Sequence, residues 1–186
     1  CTYLRPGQLL GMHGSGLTPP TPGVTSHWSL LVHPEEMASR SKIGDANVSI
    51  LLDSSWTTWI GPAMEELKAT AGAGPLWTFD YGDLLKCFRR AAQEIGVPKL
   101  VPYQARHSGP SIDAARHLRT LADIKKRGQW CSDKSVLRYE RHARLASGYR
   151  EHPMEVQKYA SEYERRAEAI ILHGLVVPLP LKGGRS

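Results

Sequence analysis

Apolar positions recur along this chain with two different periods, and the change from one to the other marks out its elements. In HWSLLVH (27–33), Trp28, Leu30 and Val32 alternate with Ser29 and Leu31, the two-residue repeat of a half-buried strand. VSILLD (48–53) reads as a second strand, and the polar stretch PEEMASRSKIGDAN between them makes the pair a hairpin with a long basic connection. Before the hairpin, LRPGQLLGM (4–12) predicts a short amphipathic helix, with Pro6 in its first turn and Leu9, Leu10 and Met12 apolar. Residues 13–26, rich in Gly, Pro, Ser and Thr, read as a loop.

Beyond the hairpin the period lengthens to that of a helix. GPAMEELKA (61–69) has Pro62 at a favourable first-turn position, and TAGAGP after it is a turn. GDLLKCFRRAAQEIG (82–96) carries Leu84, Leu85, Phe88, Ala91, Ala92 and Ile95 on one face and stops at Gly96 with Pro98 beyond. Short helices are expected from Pro110 to Leu118, over TLADIKKRG, and over about 135–146, the last containing Tyr139. A longer one spans 155–174, where Val156, Tyr159, Tyr163, Ala167 and Ile170 recur at helical spacing, and an irregular tail follows. The expected fold class is mainly α with a small antiparallel β-sheet (α+β). The expected organisation is one domain over 1–150, then a C-terminal helix and tail over 151–186.

Composition narrows the class. A chain of 186 residues with 41% hydrophobic and 23% charged residues is ordinary for a globular domain and argues against a disordered one. The net charge of +6 and pI near 9.3 favour a polyanionic partner. Three cysteines without CxxC spacing provide neither a disulfide framework nor a zinc site, and the histidines show no metal-ligand spacing. No apolar run is long enough to span a bilayer. The glycines of HGSG do not have the context of a phosphate-cradling loop. Asp80, Asp83, Glu65 and Glu66 read as helix-terminus acids rather than a catalytic pair.

The chemistry concentrates between Tyr103 and Tyr139, in YQARHSG, KKRGQW and SVLRYERHARL. An arginine fork grips a phosphate bidentately, an indole N–H adds a hydrogen bond, and a phenol among cations or beside a base is a covalent nucleophile. Arg106, Trp130 and Tyr139 provide these groups in that order. Their order and spacing resemble the C-terminal half of the tyrosine recombinase (phage-type integrase) catalytic domain. TYLRPGQLLGM (2–12) is similar to that family's opening arginine motif.

The resemblance implies a tyrosine recombinase-like fold, N-terminally truncated here, and DNA strand cleavage and rejoining through a 3′-phosphotyrosyl link. It implies Arg5 and Arg106 as the catalytic arginines, Lys42 in the hairpin as general acid with Arg40 its competitor, Trp130 as phosphate donor and Tyr139 as nucleophile. Tyr103 stands where the family has histidine. It can donate a hydrogen bond to a phosphate oxygen but is a poor general base, so either His107 compensates or proton removal from Tyr139 is slower. Gln8 stands where the family has an acid that orients the first arginine. Lys125, Lys126, Arg127, Arg138, Arg141 and Arg144, with Arg40, are expected to meet flanking DNA phosphates.

Double-stranded DNA and self-association on it are the expected partners, with no membrane, metal or small-molecule cofactor. The expected setting is intracellular, and nuclear for a eukaryotic mobile element. Two alternatives remain open at this point: a DNA-binding mobile-element remnant that no longer recombines, and a type IB topoisomerase-like enzyme.

Overall fold

The computed structural model describes residues 2–32, 47–140 and 142–179, without the side chain of His142. The chain is mainly helical, with a small three-stranded antiparallel sheet, an α+β arrangement.

The two expected strands form, as β2 (Ser29–Val32) and β3 (Val48–Leu51), with Leu30 opposite Ile50 and Val32 opposite Val48. A third strand, β1 (Leu17–Thr18), lies within the region expected to be loop and pairs Leu17 with Leu30. Leu17, Leu30 and Ile50 thus stand side by side on the buried face, where cross-strand apolar pairs stabilise a sheet. Met12, Trp28, Val32 and Leu76 complete this core, and Met64, Leu67 and Ala71 cover it from helix α2 (Gly61–Ala71).

Helix α1 (Pro6–Leu10) begins where Pro6 predicts, and the Gln8 side chain accepts the Arg5 backbone N–H at 2.9 Å, satisfying an orphan donor at the helix start. Helix α3 (Tyr81–Glu94) is capped by Asp80, which accepts the Asp83 N–H at 2.9 Å, so this acid serves the helix terminus.

Helix α4 (Pro102–Ala115) starts eight residues before the expected Pro110. Pro102 occupies the first turn and the Gln104 side chain accepts the Val101 N–H at 2.7 Å, so the start is well satisfied. Pro110 sits inside the helix and is fully buried, its ring packing as core rather than ending the element. Helix α5 (Leu121–Arg127) carries the reciprocal cap of Thr120 and Asp123.

The single helix expected over 135–146 is divided into α6 (Asp133–Val136), a 3-10 segment Leu137–Glu140 and α7 (His142–Arg150). The helix expected over 155–174 is likewise two, α8 (Met154–Arg165) and α9 (Ala167–His173), broken where Arg166 leaves helical dihedrals. The break turns α9 onto α2.

A second core gathers Tyr3, Ala114, Ile124, Val136 and Tyr139, with Leu121 and Trp130 packed against it. Ile124 is completely buried, a contribution of roughly 1.5–3 kcal/mol. An ionic chain fastens this core to the sheet. Arg119 grips Asp53 through two bonds of 2.6 and 3.2 Å and Asp113 through one of 3.0 Å, and Arg127 pairs with Asp53 at 3.0 Å. The Tyr3 hydroxyl donates to Asp113. Burial works against the Asp53 carboxylate, yet the Arg119 hydrogen bond and the charges of Arg127 and Arg119 hold its pKa below the ordinary value. Burial, then the bond to Asp113, pushes the Tyr3 phenol far up. Both groups therefore keep their protonation states across the physiological range.

Candidate active site

Helix α4 presents Tyr103, Arg106 and His107 within little more than one turn, and Arg106 points into the second core. It is 3% exposed. Its Nη1 donates to the Tyr3 carbonyl, its Nη2 donates to the Gly128 carbonyl at 2.6 Å, and its Cζ lies 4.7 Å from the centre of the Trp130 ring. The positions adjoining these carbonyls are unusual. Tyr3 and Gln129 both have φ of 55°, in the left-handed region that non-glycine residues seldom occupy. Two strained turns, far apart in sequence, thus converge on one guanidinium. Burial lowers the Arg106 pKa, and the nearby charge of Arg5 lowers it further. Arginine stays charged through such a shift, so two cations face one region. Among the described residues no carboxylate forms an ion pair with either.

Trp130 is reached through the turn Gly128-Gln129 that ends α5. Its ring lies 5.3 Å from that of Tyr139 and 6.2 Å from that of Tyr3. Gln8 links α1 to the same turn, its Nε2 donating to the Gln129 side chain at 3.2 Å. The bond that Gln8 makes to Arg5 goes to the backbone N–H. Gly128 has to be glycine, because a Cβ there would run into the six-membered ring of Trp130. Gly128→Ala is therefore expected to drive the indole off Arg106 and to cost about 1–3 kcal/mol. A urea titration followed by tryptophan fluorescence checks this, and an unchanged midpoint would contradict it.

Tyr139 lies in the 3-10 segment and is 3% exposed. Its hydroxyl is 2.7 Å from Nδ1 of His107. Burial raises its pKa, while the charges of Arg138 and Arg106 pull the other way. His107 is shifted downward, by burial first and then by Arg138 and Arg106, so the neutral form predominates at pH 7. In the tautomer that carries its proton on Nε2, the Nδ1 accepts from the phenol. Tyr103 is 48% exposed and meets His107 edge-on at 5.1 Å. The contact of His107 with the Tyr139 hydroxyl is the feature that sequence spacing alone does not supply.

Arg5, Arg106, His107, Trp130, Tyr139 and, at the rim, Tyr103 are thus brought to one end of the second core. Lys42, Arg40 and Arg141 lie outside the described residues. The expected DNA-contacting cations fall into two groups. Arg127 is turned inward, donating to the Leu51 carbonyl and pairing with Asp53, so the structure gives it a fold-holding task. Lys125 pairs with Asp133 at 2.6 Å, a contact at an exposed carboxylate. Arg138 and Arg144 remain at the surface and line one cleft together, and Lys126 borders two others.

The assembly combines a phenol, a neutral base on its oxygen, an indole and an arginine fork with a second arginine close by. These are the kinds of group that bind and attack an anionic tetrahedral centre, and here Arg106 and Tyr139 are both almost wholly covered. No group of three or more His, Cys, Asp or Glu side chains forms a metal site among the described residues. No helix there is long and apolar enough to cross a membrane. No family model, curated protein or solved structure matches this chain.

Proposed function

We propose that this cluster cleaves and rejoins DNA through a phosphotyrosyl intermediate, in the manner of the tyrosine recombinases that the sequence resembles. The observation that carries the reading is the 2.7 Å contact between His107 and the Tyr139 hydroxyl, beside the Trp130-covered guanidinium of Arg106.

The Tyr139 oxygen attacks the scissile phosphorus, and its proton passes to Nδ1 of His107. The bond from phosphorus to the 5′-oxygen breaks, and that oxygen leaves with a proton. Lys42 is the proposed source of the proton, on the resemblance alone. Arg5, Arg106 and the Trp130 N–H hold the non-bridging oxygens, where charge builds in the transition state. Arg106 has donors to spare after its two carbonyls, since a guanidinium carries five N–H groups. A 5′-hydroxyl from a second strand then reverses the sequence. Bond energy is conserved in the phosphotyrosine.

His107 takes the part of base that the Tyr103 substitution leaves vacant. The rate of covalent capture should therefore fall as pH drops through the His107 pKa, which lies below the ordinary value of 6.5. Above that pH the neutral imidazole predominates and the limb is flat until other groups titrate. Replacing His107 by Phe should remove the acid limb and slow capture by about 10²–10⁴-fold. A limb with its midpoint above 6.5, or one that survives the substitution, would count against His107 as base.

The deciding experiment is a nicked suicide DNA substrate, from which the short fragment bearing the freed 5′-hydroxyl diffuses away and leaves the protein covalently attached to the other strand end. Peptide mapping of the adduct should find the label on Tyr139. Label on another residue would overturn the assignment. One observation favours a second reading: Tyr139 is almost wholly covered, with its phenol pKa raised. Salt-sensitive DNA binding with no adduct at any protein concentration would point instead to a DNA-binding remnant.

A further inference from the structure

Apart from Arg5 and Arg106 at the candidate site, several described cations near the second core are matched by carboxylates. Arg119 and Arg127 meet Asp53, Lys125 meets Asp133, and Arg116 meets Glu164 at 2.8 Å. One place differs. Ser132, Lys134 and Ser135, on and just before α6, line a solvent-open cleft of about 680 Å³ together with Arg138 from the 3-10 segment and Arg144 from α7. Among the described residues the lining is three cations and two hydroxyl side chains, with no acid. Among the described residues none of Lys134, Arg138 and Arg144 is paired with a carboxylate. Of the two acids in this stretch, Asp133 is engaged by Lys125, and Glu140 is exposed, lies outside the lining and forms no ion pair among the described residues.

The cleft is also held in place. Arg138 Nε donates to the Ser135 carbonyl at 3.1 Å, which fixes one edge of its guanidinium to the wall. The same short stretch is anchored from beneath by Val136 and Tyr139, both buried in the second core. Like charges set close together without a counter-ion repel, and the arrangement is relieved when an anion with several acceptor oxygens enters. Hydroxyl donors beside arginines and lysine suit phosphate oxygens, and the open form of the cleft suits a chain of phosphates rather than an enclosed small molecule.

We infer that this cleft is a dedicated backbone subsite, in which Ser132, Lys134, Ser135, Arg138 and Arg144 grip DNA phosphates next to the one presented to Tyr139. The inference rests on the reading that DNA is the ligand. It assigns the strand's path to the α6–α7 side of the nucleophile, and it brings in Ser132, Lys134 and Ser135, which the sequence did not single out. Arg138 immediately precedes Tyr139 and its charge is felt at both the phenol and His107, so a strand seated in the cleft would run over the segment that carries the nucleophile.

The test is the salt dependence of binding to a labelled DNA duplex by the full chain. Lys134→Gln with Arg144→Gln should lower the slope of log affinity against log salt by about two, and should weaken binding on the order of tenfold or more near 0.1 M salt. Both side chains are exposed and unpaired, so the thermal midpoint should not move. Lys86→Gln with Lys99→Gln, which removes the same charge at α3 and beyond it, should leave the slope nearly unchanged. Equal slopes for the wild type and the Lys134/Arg144 variant would overturn the subsite, as would an equal loss from the Lys86/Lys99 pair. Failure of the chemical reading looks different: no covalent capture by the wild type, with the Lys134/Arg144 effect on slope intact. Absence of any salt-dependent DNA binding by the wild type would overturn both.

Discussion

Tyr139→Phe should abolish covalent capture of nicked DNA while leaving the fold almost as stable as before. The substitution removes one oxygen and keeps the ring that packs on Trp130 and joins Val136 and Ile124 in the core. The lost hydrogen bond to His107 is worth about 0.5–1.5 kcal/mol, and part of that returns because the phenol no longer has to be desolvated. Loss of a covalent nucleophile costs far more in rate, at least about 10⁴-fold by comparison with other enzymes that use one. Gel-shift capture assays and urea titrations on the same preparation separate the two effects. Tyr139→Ala provides the contrast, because deleting the ring from this core should cost about 3–5 kcal/mol. Capture that persists in the Phe variant would remove Tyr139 from the chemistry.

Arg106→Ala should be damaging in both respects. It leaves the Tyr3 and Gly128 carbonyls without their donor, at about 1–3 kcal/mol each, and forfeits the stacking on Trp130. Against this stands the cost of burying the guanidinium, visible in its lowered pKa, which the variant no longer bears. The net expectation is a loss of about 2–4 kcal/mol, with no capture detectable even where the variant remains folded. Arg106→Lys tests the fork itself. A lysine keeps the charge but cannot reach both carbonyls with one planar group, so it should recover less than half of the stability. A urea midpoint for Arg106→Ala equal to that of the wild type would mean that these contacts do not hold the site together.

The residues themselves explain why some of this was legible in the sequence and some was not. Strands β2 and β3 could be read because each buries alternate side chains, a pattern that is local by nature. Strand β1 could not, since Leu17 and Thr18 owe their conformation to Leu30 and Ser29 across the sheet. Pro110 reads locally as a helix start, but burial of its ring and the capped start at Pro102 outweigh the local penalty. The 3-10 segment at Leu137–Glu140 and the break at Arg166 reflect tertiary surroundings, which spacing within one helix does not reveal. At the site, the resemblance named the residues, whereas their contacts depend on distant partners. Nothing near Arg127 announces that Asp53 will draw it inward, and nothing near His107 announces the Tyr139 hydroxyl.

The burial of Tyr139 has a consequence for how this chain tolerates change. The side chain proposed as reagent is also a member of the core, so almost any replacement empties a packed position as well as removing an oxygen. Phenylalanine is the replacement that keeps the same ring in the same space. A lineage losing the chemistry therefore has one quiet exit and many that unfold it, and the tyrosine is guarded by packing whether or not its oxygen is being used.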